Sequence, residues 1–142
     1  MSIDIGQFDT IQASDKGAEI QLTHPISNVP IGLFVTVLGK HSDVFREHIR
    51  NSQNERLRAQ ANATRRGKEV PTPTAEEAET RAVELMVLCT TGWRSDDKPT
   101  WTYKGEELEF TIQNAIRVYT EMLWIREQVD TAIGDLENFI KA

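Results

Sequence analysis

A chain of 142 residues with a formal charge of −6 lies within the usual size of one folding unit, large enough to bury a core without a structural metal or a disulfide framework. It holds 16 basic residues against 22 acidic ones, so a general affinity for the phosphate backbone of nucleic acid is not expected. Hydrophobic residues make up 39%, and no apolar run approaches the roughly eighteen positions a membrane-spanning helix requires.

The opening "MSIDIGQFDT" carries acids where a secretory leader would carry Lys or Arg ahead of an apolar run, so the chain is expected to stay in the cytoplasm. The single cysteine, Cys89, fits that reducing setting. Phe8 to Gln12 reads as a weak strand, closed by the turn-like Ser14-Asp15-Lys16-Gly17. In "GAEIQLTHP", Ile20 and Leu22 alternate with Glu19, Gln21 and Thr23, the period-two pattern of a half-buried strand, and His24-Pro25 ends it. "PIGLFVTVLGK" is apolar on both faces and rich in β-formers, as for a strand covered on each side. The two are expected to pair as a hairpin through Ser27 to Pro30.

Beyond Gly39-Lys40-His41 the period changes. Ser42 or Asp43 can cap a helix that places Val44, Phe45, His48 and Ile49 on one side. After Arg50 large apolar residues nearly vanish, Leu57 being the last, so the later half is expected to project into solvent, fray or await a partner. The stretch 58–75, ending in the Pro-rich "VPTPT", is expected to be flexible. Thr74 with Glu77 forms a capping box for a core helix holding Val83, Leu85, Met86, Leu88 and Cys89, with Gly92 placed to end it. Residues 94–109 read as a polar, aromatic-studded loop with a small turn at Lys104-Gly105. Phe110 and Thr111 read as staple and N-cap of a helix with Ile112, Ala115, Ile116, Tyr119 and Met122 at helical spacing. A last helix carries Ile125, Val129, Ala132, Ile133, Leu136, Phe139 and Ile140 on one stripe, weakened at Gly134. The fold class is α+β and mostly α-helical: a small N-terminal antiparallel β-hairpin or sheet over residues 1–40, then about four helices over 42–142, in one domain.

Motifs that would carry chemistry fail on their own terms. Gly39-Lys40-His41-Ser42 sits between strand and helix as a nucleotide-binding loop would, but Phe34 stands where that motif needs its first glycine and His41 where it needs a hydroxyl. His41 and His48 are seven apart with no Cys or carboxylate at a ligand spacing, so surface histidines explain them better than a metal. Cys89 in "ELMVLCTTG" reads as a packing residue, since an apolar site raises a thiol's pKa. Asp96, Asp97, Glu106, Glu107 and Glu109 lack the alternation and central glycine of a calcium loop. The bases Arg56, Arg58, Arg65, Arg66 and Lys68 have no aromatic residue among them to stack a nucleobase, and a solvated helix accounts for them better. A binding protein is therefore expected rather than an enzyme, with no cofactor. Trp93, Trp101, Tyr103, Tyr119 and Trp124 cluster toward the C-terminal half as either interface anchors or core plugs.

Three stretches, "DTIQASDKGAEIQLTHPISNVPIGLFVTVLGKHSDVFREHIRNSQNERL", "ELMVLCTTGW" and "EFTIQNAIRVYTEMLWIREQVDTAIGDLENFIK", together resemble the tail assembly chaperones of long-tailed, non-contractile bacteriophages. The Gly39 to Phe45 junction, Thr91-Gly92-Trp93, the run Trp124 to Asp130, and Asn138-Phe139 carry the likeness. The resemblance implies a non-enzymatic late protein of the host cytoplasm, absent from the mature virion, that coats the helical tape measure protein until tail tube polymerises around it. It also implies self-association, and a frameshifted longer form that recruits the tail tube protein. A structural virion component, such as a head-tail connector or minor tail protein, is the alternative. The residues expected to meet a partner are Trp93 and Tyr119 together with the face of Trp124, Ile125, Val129, Ile133 and Leu136.

Overall fold

A computed structural model describes residues 2–140. The α+β class holds, with five α-helices and a small antiparallel sheet among the described residues, but strands fall both before and after helices.

A 3-10 turn, Ile5–Phe8, leads into a short helix α1 (Thr10–Lys16). This replaces the weak strand expected at Phe8 to Gln12. The reason is local capping: the Asp9 carboxylate accepts the Gln12 N–H at 2.9 Å, a helix-start device that a two-periodic reading overlooks. Gly17, at φ +81°, then turns the chain into strand β1 (Ala18–Thr23). β1 pairs antiparallel with β2 (Pro30–Val37), as its alternation predicted, and the turn places Asn28 at φ 59°.

Helix α2 (Asp43–Arg65) is capped by Ser42, whose hydroxyl accepts the Phe45 N–H. It runs 23 residues without one buried side chain. Residues 58–65, expected to be flexible, therefore continue α2, and only 68–74 are free of regular structure. Thr74 caps α3 (Ala75–Leu88) by accepting the Glu77 N–H.

Helix α3 does not reach Gly92. It ends at Leu88, and Thr90–Ser95 form β3, the third strand of the sheet, antiparallel to β2 on the side opposite β1. Strand β2 is the central strand, but it is not covered on each side as expected: Val35 and Val37 are buried on one face, while Phe34 and Thr36 lie half-buried on the other, and Gly92 sits opposite Thr36 in the ladder rather than at a helix end. Across the outer face, Glu19 of β1 and Arg94 of β3 form a two-bond ion pair, and Arg94 lies 4.1 Å above the Phe34 ring between them.

The expected loop 94–109 also resolves into structure. Strands β4 (Trp101–Tyr103) and β5 (Glu106–Leu108) form a hairpin on the two-residue turn Lys104-Gly105, both at positive φ. Its inward side chains build the aromatic part of the core. Trp101 stacks on Trp93 with centroids 4.3 Å apart, Phe110 meets Trp93 edge-on at 5.1 Å, and both indole N–H groups donate to carbonyls, of Leu108 and Arg94.

Helices α4 (Ile112–Glu121, capped by Thr111) and α5 (Leu123–Gly134) are joined at Met122. The last helix was expected to run to Ile140. Instead Gly134 is its final residue, and a single 3-10 turn, Leu136–Asn138, follows on an Asp135 cap. Helix α5 crosses β1 and β2 and touches α3 and α4, closing one hydrophobic cluster that draws on both sheets and three helices.

Candidate functional site

Several of the groups that the sequence offered for chemistry are engaged within the fold. At the Gly39 junction three successive amides are consumed: Leu38 N–H donates to Cys89 O, Gly39 N–H to Ser14 O and Lys40 N–H to Ile133 O. The segment thus pins the ends of α3, α1 and α5 to the sheet, and its amides face no phosphate. A Cβ on Gly39 would come within 2.4 Å of the Ser14 hydroxyl, which explains the glycine without a ligand. His41 Nδ1 is bonded to the Thr10 hydroxyl at 2.6 Å.

Cys89 is fully buried, and desolvation pushes its thiol up to about 11, away from the thiolate a nucleophile needs. The Tyr119 hydroxyl is pushed up to about 12, chiefly by burial, and shares a hydrogen bond of 2.8 Å with Thr90 Oγ1. Among the described residues no three His, Cys, Asp or Glu side chains stand where they could hold one metal ion.

Most of the residues expected to meet a partner turn inward. Trp93, Tyr119, Ile125, Val129 and Ile133 are buried in the core cluster; Trp124 and Leu136 are half-buried. The α5 stripe is therefore a packing surface of the folded chain, because β1, β2, α3 and α4 all lie against it. Of these residues, Trp124 and Ile125 reach an opening, a pocket of about 300 Å³ shared with Leu33, Trp101, Tyr103, Leu108 and Met122.

The open apolar surface lies elsewhere. A groove of about 620 Å³ runs between α2, α3 and α4, walled by His48, Val87, Leu88, Phe110, Ile112 and Ile116. Leu88 is 52% exposed, Ile112 66% and Ile116 41%, and Ile49 extends the same apolar side of α2. One end is polar: Glu84 lines it, and His48 Nδ1 is buried there without a hydrogen-bond partner. An apolar floor with a few polar atoms at one end suits an amphipathic helix or an extended apolar segment. Sequence periodicity had assigned Ile112 and Ile116 to the same stripe as Ala115 and Tyr119. Their excess over what the core could cover was the available signal, visible as a stripe too wide for one packing partner.

Compared with protein-family models, with curated proteins and with solved structures, the chain matches none.

Proposed function

We propose that this chain is a non-enzymatic phage tail assembly chaperone that binds the tape measure protein and keeps it soluble in the host cytoplasm during tail morphogenesis, without remaining in the mature virion. The observation that carries the reading is the open groove walled by Leu88, Ile112 and Ile116. A tape measure protein is a long apolar-rich helix, and such a client needs an apolar groove on a carrier that is itself highly charged; net charge of −6 serves the second need. The order and spacing of the Gly39 junction, Thr91-Gly92-Trp93 and the Trp124 to Asp130 run support the same assignment. Tail tube protein would be recruited by a frameshifted longer form.

The test is co-expression with a tape measure fragment. The parent chain is expected to hold the fragment in the supernatant, and Ile112→Asp with Ile116→Asp is expected to send it to the pellet while the variant itself stays folded. A variant that solubilises the fragment as well as the parent overturns the groove assignment. Finding the chain at stoichiometric levels in washed virions by mass spectrometry would replace the chaperone with the structural-component reading.

A further inference from the structure

The groove between α2, α3 and α4 holds two polar groups that the fold leaves unmatched. His48 Nδ1 is buried there without a hydrogen-bond partner, and Glu84, exposed on α3, pairs with no base among the described residues. Arg81, three residues earlier on α3, forms no ion pair with it, and no Lys or Arg lines the groove. Ser14 Oγ and Thr100 Oγ1, the other buried side-chain atoms without a partner, do not line it either. A buried polar atom is normally matched, so an unmatched one on the wall of an open groove points to what enters.

The chemistry of the two groups narrows what that is. The Glu84 carboxylate can only accept hydrogen bonds, and His48 Nδ1 accepts when the ring proton sits on Nε2. Both then need a donor. A hydroxyl has one proton to give, and a second acid would stand against Glu84. An ammonium or guanidinium carries several N–H groups and the opposite charge, so one cation can serve both acceptors. Glu84 also lies one helical turn before Leu88, about 6 Å along α3, and the apolar wall of Leu88, Ile112 and Ile116 begins there. The groove therefore has a direction, with a place for charge followed by a place for apolar side chains.

We propose that the groove selects helical client segments that carry a Lys or Arg one turn from an apolar stripe. The cation donates to Glu84 and His48 Nδ1 while the stripe covers Leu88, Ile112 and Ile116. This inference rests on the reading of the groove as the client site and adds what a client must present to it, and in which orientation. Position matters as well as charge, because the chain's net charge of −6 attracts any cationic peptide without regard to where its Lys stands.

The probe is a fluorescein-labelled amphipathic helical peptide of about 18 residues, titrated with the full chain and followed by fluorescence anisotropy. Four forms are compared: Lys one turn before the Leu stripe, Lys one turn after it, Gln at both positions, and Lys on the opposite face. One of the two in-line Lys peptides is expected to bind about fivefold more tightly than the Gln peptide, and the opposite-face peptide no more tightly than Gln. Glu84→Gln, at an exposed site, should leave the circular dichroism unchanged, remove the gain and keep the Gln peptide's affinity; His48→Phe should reduce the gain. The proposal is overturned if neither in-line Lys peptide exceeds Gln, if the opposite-face Lys gains as much, or if the gain survives both substitutions. Ile112→Asp with Ile116→Asp tells the two readings apart. Where it weakens a Gln peptide to which Lys adds nothing, the client groove stands and the selection for a cation falls. Where it weakens no peptide, the groove reading fails and this inference fails with it.

Discussion

Helices α4 and α5 are neighbours of similar length, yet they spend their apolar residues differently. At about 100° per residue, the apolar positions of α5 from Ile125 onward, Ile125, Val129, Ala132 and Ile133, fall within an arc of about 100° and all four are buried, with exposed Leu123 and half-buried Trp124 confined to the helix start. The apolar positions of α4 and its end, from Ile112 to Met122, spread over about 160°. Ala115, Val118 and Tyr119 take the core side of that arc, and Ile112 and Ile116 are left outside it. Regularity marks a helix that the fold itself has covered. Surplus marks a helix with surface still to cover.

The sharpest way to break this contrast is Val129→Asp. Val129 is fully buried under β1, β2 and the neighbouring helices, so the substitution places an unpaired carboxylate in the core. A cost of about 4 kcal/mol or more is expected, enough to unfold a domain of ordinary stability, read as loss of the cooperative thermal transition in circular dichroism. A folded Val129→Asp chain would mean that the α5 stripe does face outward.

A second measurement probes the buried end of the core where α3 gives way to β3. The Cys89 thiol is raised from 9.0 to about 11 and the Tyr119 hydroxyl from 10.0 to about 12, each chiefly by desolvation. Both are neutral acids whose folded pKa lies above the unfolded one. Their contribution is therefore complete below about pH 9 and lost as pH climbs toward 11 to 12. The urea midpoint should be flat from pH 7 to 9 and fall steadily above it, by on the order of 2 kcal/mol at pH 11 for Cys89 alone. Cys89→Ala should start lower because of the cavity and lose less with pH. An equal slope in parent and variant would place the alkaline loss elsewhere.

How much of this was legible follows the same division. The β1–β2 hairpin and the caps at Ser42, Thr74 and Thr111 could be read because each rests on a few adjacent residues. The β4–β5 hairpin carried its signals too, Trp101 and Tyr103 alternating with Thr102 before Lys104-Gly105, but three-residue strands are too short to show a period against a polar background. β3 was hidden for another reason. Thr90 to Ser95 becomes a strand only because β2 offers a free edge brought from fifty residues away, so a local reading extends α3 to Gly92 instead. The division between covered and open apolar faces depends on the same long-range contacts, which is why Ile125, Val129 and Ile133 looked like a partner surface and Ile112 and Ile116 looked like core.

The smallest effect on stability is the most informative about that open face. Ile112 and Ile116 lie on the exposed side of α4, and replacing both with Asp removes little apolar area from the core while adding a favourable charge to the helix's first turn at Ile112. The melting temperature should move by no more than a few degrees, corresponding to about 0.5 kcal/mol per site. Binding of an amphipathic helical peptide should fall by at least about tenfold, because two charges now face the apolar wall formed by Leu88 and Phe110. A large loss of stability with no loss of binding would reverse the comparison, making α4 the helix whose whole stripe belongs to the core.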